Sequence, residues 1–356
     1  MKIAFILYGK ADDRSGGYLY DSYLIHHLKL NRHFVKVFPQ EEGNLFSLLM
    51  QNRIDHFNNL VDFNPDIIIE DELNHVSLFL INRQLKSRLK APILTVVHHL
   101  RSDEKINNLN KFLIKMIETL YLKTCDAFIF NSKNTLDRVS ALLKRETMNY
   151  RIIYPGKDNL PLFDRENQNS CVTFLYAGNI IPRKNLDMVI KVLHKLTDFE
   201  WHFNICGSDS ADPAYARKLM ELSQNLVRDK KVFFRGRLSN EELSRLMSIS
   251  DFLLAPSDHE GFGIIYLEAM RAGVIPVASA KGGAQEIIEN GVNGFLISPD
   301  NSMQLEELLR NILNNPELIK KTRAELKKRA DFFSTWDDTM KNGAAFIEGI
   351  VFSETR

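Results

Sequence analysis

The sequence of 356 residues has few cysteines, no long apolar run and almost no net charge. Its three cysteines, Cys125, Cys171 and Cys206, stand far apart and form no CxxC or Cys/His metal pattern, so we expect buried free thiols in a reducing compartment. No run of about 18 apolar residues occurs, which argues against a transmembrane helix. A net charge of +1 gives no general attraction for nucleic acid. We therefore expect a cytoplasmic protein with no nucleic-acid partner.

Three ligand-binding motifs are also missing from the sequence. The dinucleotide fingerprint GxGxxG is absent. Neither DxD nor HExxH occurs, so we expect no metal site. The apolar start, residues 1–7, is too short for a signal peptide and lacks a small-residue cleavage site, so we interpret it as a first buried strand.

Apolar runs of strand length alternate with helical periods along the chain, which favours an α/β protein with parallel sheets covered on both faces. The predicted strands are residues 2–7, 34–38, 66–70, 93–97, 127–131, 151–154, 172–176, 201–206, 232–235, 251–255, 274–278 and 294–297. The polar stretch 157–170 after the sixth strand is predicted to be an interdomain linker. Because the second half repeats the first, the sequence predicts two doubly wound Rossmann-like domains that face a cleft.

The predicted domains are residues 1–160 and 171–335. The tail, 331–351, is predicted to be helical, and residues 336–356 are long enough to return across the cleft to the first domain. In doubly wound sheets, ligands bind at the carboxyl ends of the strands. The candidate site residues are therefore sought where strands end.

The most informative segment runs from Glu260 to Glu268. An apolar strand precedes Glu260, a Gly-Phe-Gly turn follows it, and a helical stretch starts at Ile264. A helix N-terminus at such a turn presents free N–H groups and a partial positive charge to a negative ligand. The two carboxylates suit hydroxyl-rich groups, such as a sugar and a ribose. Two solvated glutamates beside an ordinary helix start are the alternative.

Gly178 and the pair Arg183-Lys184 follow the first strand of the second half. Gly178 permits close approach of a ligand to the backbone. Arginine binds phosphate oxygens through two N–H groups and lysine adds a compact charge. The pair would therefore offset the negative charge that develops on a leaving diphosphate. A solvated Arg-Lys pair in a loop is the alternative.

Two features of the first half also follow strands. Ser15, Gly16 and Gly17 lead into the first helix, where the glycines let a ligand or the other domain approach the backbone, or form an ordinary turn. His98 and His99 end the strand 93–97. A histidine there can bind a sugar hydroxyl or a phosphate, or be held by the protein with no ligand.

Together these residues resemble the retaining glycosyltransferases of family 4, called group 1, which have the two-domain GT-B fold. The resemblance spans nearly the whole chain. The residues that match are Ser15-Gly16-Gly17, His98, Tyr154-Pro155-Gly156, Gly178, Arg183-Lys184, Gly236-Arg237, Pro256-Ser257, Glu260, Glu268, Gly282-Gly283, Glu286 and Asn293-Gly294-Phe295-Leu296. The two glutamates eight residues apart, followed by Gly-Gly-x-x-Glu, are the most specific part.

The resemblance implies a donor site in the second domain. Glu260 would bind hydroxyl groups of the donor sugar, and Glu268 would bind the donor ribose. The backbone N–H groups around Phe262, Gly263 and Ile264 would contact the sugar and the diphosphate.

The other matching residues would complete the site. Arg183 and Lys184 would hold the diphosphate, and His98 would lie beside the transferred sugar and help to place the acceptor. The glycines Gly16, Gly17 and Gly178 are assigned to donor binding. Two positions depart from the family, since Asn179 stands where arginine is common and His99 where aspartate is frequent.

The resemblance implies a retaining, metal-independent glycosyltransferase without a cofactor. It would move a hexose from a nucleotide diphosphate sugar, bound by residues 171–335, to a hydroxyl acceptor on the side of residues 1–160, in glycan, polysaccharide or glycolipid synthesis. The alternatives are a GT-B sugar-nucleotide epimerase and a non-catalytic sugar-nucleotide-binding subunit, which Asn179 favours.

The predicted helix 106–123 carries an apolar stripe made of Ile106, Leu109, Leu113, Met116 and Leu120. We expect this stripe to be buried, with the neighbouring lysines in solvent. The alternative is a peripheral contact with an anionic membrane that carries a lipid-linked acceptor, at the inner face of the membrane.

Overall fold

The computed structural model describes residues 1–9, 16–104, 108–144, 148–165 and 171–354. Ser15, Ile106 and residues 166–170 of the predicted linker lie outside the described residues. The chain forms two compact units: unit 1 comprises Met1–Gly156 and Thr335–Arg356, and unit 2 comprises Lys157–Ser334.

Unit 1 is built on a parallel sheet of six strands in the order β2-β1-β3-β4-β5-β6. The strands are β1 (Lys2–Tyr8), β2 (Phe34–Gln40), β3 (Ile67–Asp71), β4 (Ile93–Val97), β5 (Ala127–Phe130) and β6 (Asn149–Ile152). The helices are α1 (Gly16–Leu30), α2 (Leu45–Met50), α3 (Asn58–Phe63), α4 (His75–Leu78), α5 (Ile81–Arg88), α6 (Asn108–Leu122) and α7 (Lys133–Leu143). Every residue of β3, β4 and β5 is buried, whereas the edge strand β6 is mostly exposed. Parallel sheets are covered on both faces, which explains why these inner strands are buried along their whole length.

Unit 2 has a second parallel sheet of six strands in the order β12-β11-β10-β7-β8-β9. The strands are β7 (Val172–Ala177), β8 (Trp201–Cys206), β9 (Val232–Gly236), β10 (Phe252–Ala255), β11 (Ile275–Ser279) and β12 (Phe295–Ile297). The helices are α8 (Leu186–His194), α9 (Pro213–Leu222), α10 (Gln224–Arg228), α11 (Asn240–Ser248), α12 (Ile264–Arg271), α13 (Ala284–Ile287), α14 (Ser302–Asn314) and α15 (Pro316–Asp331). The predicted α/β fold with two doubly wound sheets is confirmed.

The final helix, α16 (Trp336–Glu354), belongs to unit 1. The tail was expected to be one helix over 331–351, but α15 ends at Asp331 and α16 starts afresh. The hydroxyl group of Thr335 accepts the N–H of Asp338 at 3.2 Å, which satisfies an amide of the new first turn. Within unit 1, the Trp336 ring stacks on Tyr23 with their centroids 4.2 Å apart.

Part of the predicted linker packs on unit 2. Arg165 donates to Asp251 at 2.6 Å, and Arg323 donates to the same carboxylate at 2.7 Å. Arg271 donates to the carbonyl oxygens of Lys157 and Leu160. Residues 157–165 are therefore held by hydrogen bonds that a polar composition alone did not predict.

The expected burial of the apolar stripe on α6 is wrong. Leu109 and Met116 are 72% and 46% exposed. The helix instead buries Ile114, Ile117 and Tyr121, each one position further along the chain. The helix has more apolar surface than one face of the core can cover, so the sequence alone did not determine which part is buried.

The structure also bears on two other predictions, that the cysteines are buried free thiols and that no transmembrane helix is present. Cys125 and Cys206 are buried free thiols as predicted, but Cys171 is only half-buried, and its Sγ lies 3.4 Å from Nδ1 of His202. Within the described ranges, no helix has both the length and the hydrophobicity needed to cross a bilayer.

Candidate active site

In unit 2, the structure brings the predicted acid and the two predicted cations into contact. We call residues 256–263 the acidic loop and residues 178–185 the Arg-Lys loop. Lys184 Nζ donates to Glu260 Oε2 at 2.8 Å, and Arg183 lies 3.5 Å from the same oxygen. Arg183 also donates to the carbonyl oxygen of His259 at 2.6 Å. The cations predicted to hold a diphosphate are therefore paired with the acid predicted to hold a sugar.

The charges of this group stabilise one another in a half-buried position. Burial alone would raise the pKa of Glu260, but the positive charges of Lys184 and Arg183 outweigh it and lower the pKa to about 2. Burial lowers the pKa of Lys184, and the charge of Glu260 partly opposes that shift. Glu260 is therefore a carboxylate, with acceptor oxygens only, at any pH in the physiological range.

Three hydrogen bonds fix the two loops together. The N–H of Asp258 donates to the carbonyl oxygen of Arg183 at 2.8 Å. Asn185 Nδ2 lies 3.0 Å from the carbonyl oxygen of Pro256 and 2.7 Å from Asp258 Oδ1. Asn185 has a left-handed backbone with φ of 55°, which asparagine tolerates better than most residues. Sequence reasoning missed Asn185, although an asparagine directly before a helix is a turn signal.

The glycine pair after β11 supports the acidic loop from the other side. The N–H of Gly283 donates to the carbonyl oxygen of Glu260 at 2.9 Å. A Cβ on Gly282 would lie 2.1 Å from the same oxygen, and a Cβ on Gly283 would lie 2.3 Å from the Gly261 oxygen. These glycines thus make room for the backbone of the acidic loop.

The N-terminus of α12 follows the acidic loop directly. Gly263 precedes the helix with φ of +96°, a conformation that favours glycine, and no described side chain caps this end. Ile264 starts the helix, so its first-turn N–H groups are suited to an anion. The Phe262 ring is buried and packs edge-on against Phe333 with centroids 5.9 Å apart, so only its backbone is suited to ligand contact.

The second predicted carboxylate, Glu268, lies on α12 and is buried. Its Oε1 accepts a hydrogen bond from Asn159 Nδ2 at 2.7 Å. Burial raises the pKa of Glu268 to about 7, against the opposing hydrogen bond from Asn159. Asn159 was not identified from the sequence because it lies 109 residues away.

Gly178 directly follows β7 and is the first residue of the Arg-Lys loop. Its φ of +149° is left-handed, and a Cβ there would lie 3.2 Å from the Tyr176 hydroxyl and 4.0 Å from Lys184 Cε. The Tyr176 hydroxyl donates to the carbonyl oxygen of Asn179 at 2.7 Å. Gly178 is therefore suited to close packing next to the cations.

In unit 1, the predicted histidine lies at the end of β4 and is almost fully buried. His98 Nε2 is 3.0 Å from Asp21 Oδ1, and its ring packs edge-on against Tyr20. A Cβ on Gly17 would lie 3.1 Å from the His98 ring, so Gly17 leaves room for it. Gly16 is the first residue of α1 and is exposed.

Two carboxylates control the charge of His98. Burial alone would lower its pKa, but Asp21 and Asp71 raise it above the usual value. Burial also raises the pKa of Asp71. Sequence reasoning missed Asp21, although an aspartate between the buried Tyr20 and Leu24 of α1 was an available signal. His99, next in the chain, lies 3.1 Å from Glu104.

Sequence comparisons relate the chain to known transferases. Residues 163–331 match the family described as Glycosyl transferases group 1. An uncharacterized glycosyltransferase of Methanocaldococcus jannaschii is 27% identical over 259 residues, which are 71% of this chain and 67% of that protein. A D-inositol 3-phosphate glycosyltransferase of Catenulispora acidiphila is 24% identical over 63% of this chain and 57% of that protein. The chain thus spans about half to two thirds of the length of such relatives.

Solved structures share the fold over nearly the whole chain. Sucrose-phosphate synthase from Thermosynechococcus elongatus has a TM-score of 0.84 at 19% identity, covering 99% of both chains. Anabaena HepE in complex with UDP-glucose has a TM-score of 0.77 at 19% identity, covering 98% of this chain and 100% of HepE. The two six-stranded sheets therefore have the GT-B architecture.

Proposed function

We propose that the chain, whose residues 163–331 match the group 1 glycosyl transferases, is a retaining glycosyltransferase. It moves a hexose from a nucleotide diphosphate sugar to a hydroxyl acceptor. The observation that carries the proposal is the group of Lys184, Arg183 and Glu260 beside the uncapped N-terminus of α12. Cations and free helix amides favour a diphosphate, and an ionised carboxylate accepts hydrogen bonds from sugar hydroxyls.

The proposed roles of the cations follow from the negative charge that develops on the diphosphate as the hexose is transferred. In the proposed step, the bond between the anomeric carbon and the diphosphate oxygen breaks, and the acceptor oxygen bonds to the same carbon on the same face. The departing phosphate oxygen takes the acceptor proton. Lys184, Arg183 and the first-turn amides of α12 stabilise the negative charge of the leaving diphosphate. No metal ion is needed for this role in the proposal.

The other site residues have roles consistent with their positions. Glu260 orients the hexose through its hydroxyls, and Glu268, held by Asn159, accepts hydrogen bonds from the ribose. His98, paired with Asp21 in unit 1, positions the acceptor. Its raised pKa increases the fraction of the imidazolium form near neutral pH, and this form can donate a hydrogen bond to the acceptor hydroxyl.

The donor is the part of the proposal that binding can test first. HepE is described in complex with UDP-glucose, so UDP-hexoses head a panel of sugar nucleotides with other bases. Donor binding raises the melting temperature of the chain by mass action. The sugar nucleotide that does so is then incubated with candidate acceptors, and the product is identified by mass spectrometry.

The matched variant for this test is Glu260→Gln, which keeps the shape of the side chain and removes its charge. The account predicts transfer in the wild type and at least about 100-fold less in the variant. A donor that is epimerised without an acceptor would instead favour the epimerase. Binding without turnover on any acceptor would favour a binding subunit.

We also propose that unit 1 contacts an anionic membrane through α6. Leu109, Phe112 and Met116 are exposed on this helix, and Phe112 is 67% exposed. Lys111 and Lys115 lie on the same helix and line a pocket of about 280 Å³. Apolar side chains flanked by lysines match the boundary between anionic headgroups and acyl chains.

The pocket supplies further positive charge for a lipid phosphate. Arg138 of α7 and Lys144, just after the C-terminal end of α7, also line the pocket. Arg138 is already paired with Asp103. Each lysine near an anionic surface contributes about 1 kcal/mol. Changing Lys111 and Lys115 to glutamine therefore weakens binding by about 30-fold.

Flotation with vesicles tests this contact. Wild-type protein is expected to float with phosphatidylglycerol vesicles at low salt and not with purely phosphatidylcholine vesicles. Phe112→Gln weakens flotation, whereas the control Phe46→Gln, which changes a 73% exposed phenylalanine of α2, does not. Failure of the wild type to float at low salt would rule out the membrane contact.

A further inference from the structure

A second group of polar and ionisable side chains is enclosed in unit 1. Glu72 and His75 lie in the segment that follows β3, which forms a 3-10 turn (Glu72–Asn74) and then α4. Glu118 lies on α6. All three side chains are fully buried, and one potential ligand atom from each lies within 4.8 Å of the others.

The polar atoms of this group are not satisfied by the described residues. Neither carboxylate oxygen of Glu72 has a hydrogen-bond partner, and the same is true of Glu118 Oε2 and His75 Nε2. The other Glu118 oxygen accepts the N–H of Ser102 at 3.0 Å. His75 Nδ1 lies 3.0 Å from the carbonyl oxygen of Glu72 and 3.4 Å from its Oε1.

Two buried carboxylates of which three of the four oxygens accept no hydrogen bond from the described residues need compensation. An unpaired buried polar group is costly, and a buried charge is more costly still. Most such atoms in folded proteins have a partner, and the exceptions indicate an ordered water or an ion. The group therefore requires protons, an ordered water or a cation.

We propose that Glu72, His75 and Glu118 bind one structural divalent transition-metal ion, for which zinc is the best match. Imidazole and carboxylate together suit zinc, whereas magnesium and calcium prefer oxygen ligands alone. Ligand atoms around a tetrahedral zinc ion are about 3.4 Å apart. Because the ligand atoms lie within 4.8 Å of one another, a contraction of at most about 1.4 Å reaches that spacing, and a water would fill the fourth position.

The ion would connect two parts of unit 1 that are distant in sequence. Glu72 and His75 position the turn after β3, and Glu118 belongs to the helix that carries the exposed membrane-facing residues. A metal bound only in the folded state contributes its binding free energy to folding. The role is structural and is independent of the proposed transfer reaction.

A neighbouring group with a similar composition is already paired within the protein. Asp21, Asp71 and His98 also have ligand atoms within 4.8 Å of one another. However, His98 bonds to Asp21, and Asp71 accepts the N–H of Leu73 at 3.0 Å. Among the described residues, no group donates a hydrogen bond to the Glu72 carboxylate, whose nearest cationic partner is His75 Nδ1 at 3.4 Å, which is why the ion is assigned to its group.

The test measures metal in the intact chain. Protein is produced in media supplemented with zinc or cobalt, desalted and analysed for metal content. The expected result is about one ion per chain, with slow loss to chelator because the ligands are buried. Cobalt should give visible absorption typical of a low-coordinate nitrogen and oxygen site. Restoring zinc to chelated protein at about 100 times Kd should raise the melting temperature by about 5–10 °C.

Two isosteric variants make the result specific. Glu118→Gln removes a ligand without adding a charge and should lose the ion and the cobalt absorption while remaining folded. Glu70→Gln changes another fully buried carboxylate, which is paired with Asn82, and should keep both. The proposal is overturned if wild-type protein carries less than about 0.1 ion per chain with no thermal response. It is also overturned if Asp71→Asn, rather than Glu118→Gln, removes the ion.

Discussion

Replacing Lys184 with methionine tests how the candidate donor site is held together. The difference between the usual Glu260 pKa of 4.5 and the value of about 2 corresponds to about 3 kcal/mol in favour of the charged form. Arg183 remains in the variant, and the cost of burying Lys184 is removed. We therefore expect Lys184→Met to lower the free energy of unfolding of unit 2 by about 2 kcal/mol at pH 7.

The pH dependence has a defined sign. A carboxyl whose pKa is depressed on folding contributes stability above its unfolded pKa, here about 4.5, and loses it as pH falls towards about 2. The difference between wild type and variant should therefore be constant from pH 8 to 5 and should shrink to roughly half by pH 3.

Tryptophan fluorescence measures this in unit 2. The chain has two tryptophans, of which Trp201 lies buried in unit 2 and Trp336 in unit 1. In a Trp336→Phe background, urea unfolding followed at Trp201 reports on unit 2 alone. The double variant with Glu260→Gln should recover part of the loss, because both charges are removed together. The reasoning would be refuted if Lys184→Met changed the free energy of unfolding of unit 2 by less than about 0.5 kcal/mol at pH 7. It would also be refuted if the difference between wild type and variant were the same at pH 3 as at pH 7.

Three other outcomes are expected. Glu260→Gln should lower kcat/KM by at least about 100-fold while the variant still shows a thermal shift with the donor, because its hydrogen bonds strengthen in the transition state. Gly283→Ala places a Cβ 2.3 Å from a backbone oxygen and should destabilise unit 2 by about 1–3 kcal/mol in urea unfolding, whereas Gly349→Ala, with open space in α16, should be neutral or stabilising. Asp21→Asn should lower the pKa of His98 in an NMR titration, because burial lowers this pKa and only the charge of Asp71 would then oppose it. An unchanged pKa would contradict the pairing of His98 with Asp21.

Local sequence signals predicted the fold well. The twelve strands were predicted because buried parallel strands are continuous apolar runs, and α12 begins at Ile264 because Gly263 has a conformation that helices do not continue through. The contact of Glu260 with Arg183 and Lys184 was not itself predicted, although all three residues follow strands whose carboxyl ends share one edge of a sheet.

Contacts distant in sequence were harder to predict. Asp21 and His98 lie 77 residues apart, and Asn159 and Glu268 lie 109 residues apart, so no spacing rule connects them. The face of α6 was assigned wrongly because Leu113 and Ile114 are both apolar, and only packing in unit 1 decides which is buried. Which face of such a helix is buried depends on tertiary contacts, and these cannot be predicted from the periodicity of apolar residues.

Hydrogen–deuterium exchange with and without the sugar nucleotide that stabilises the chain most is the most direct test of the proposed donor site. The account predicts that bound donor slows exchange in the Arg-Lys loop, residues 178–185, and across the acidic loop and the first turn of α12, residues 256–267. Lys184→Met should weaken that protection in both segments. Protection confined to other parts of the chain, or no stabilisation by any sugar nucleotide tested, would contradict the account.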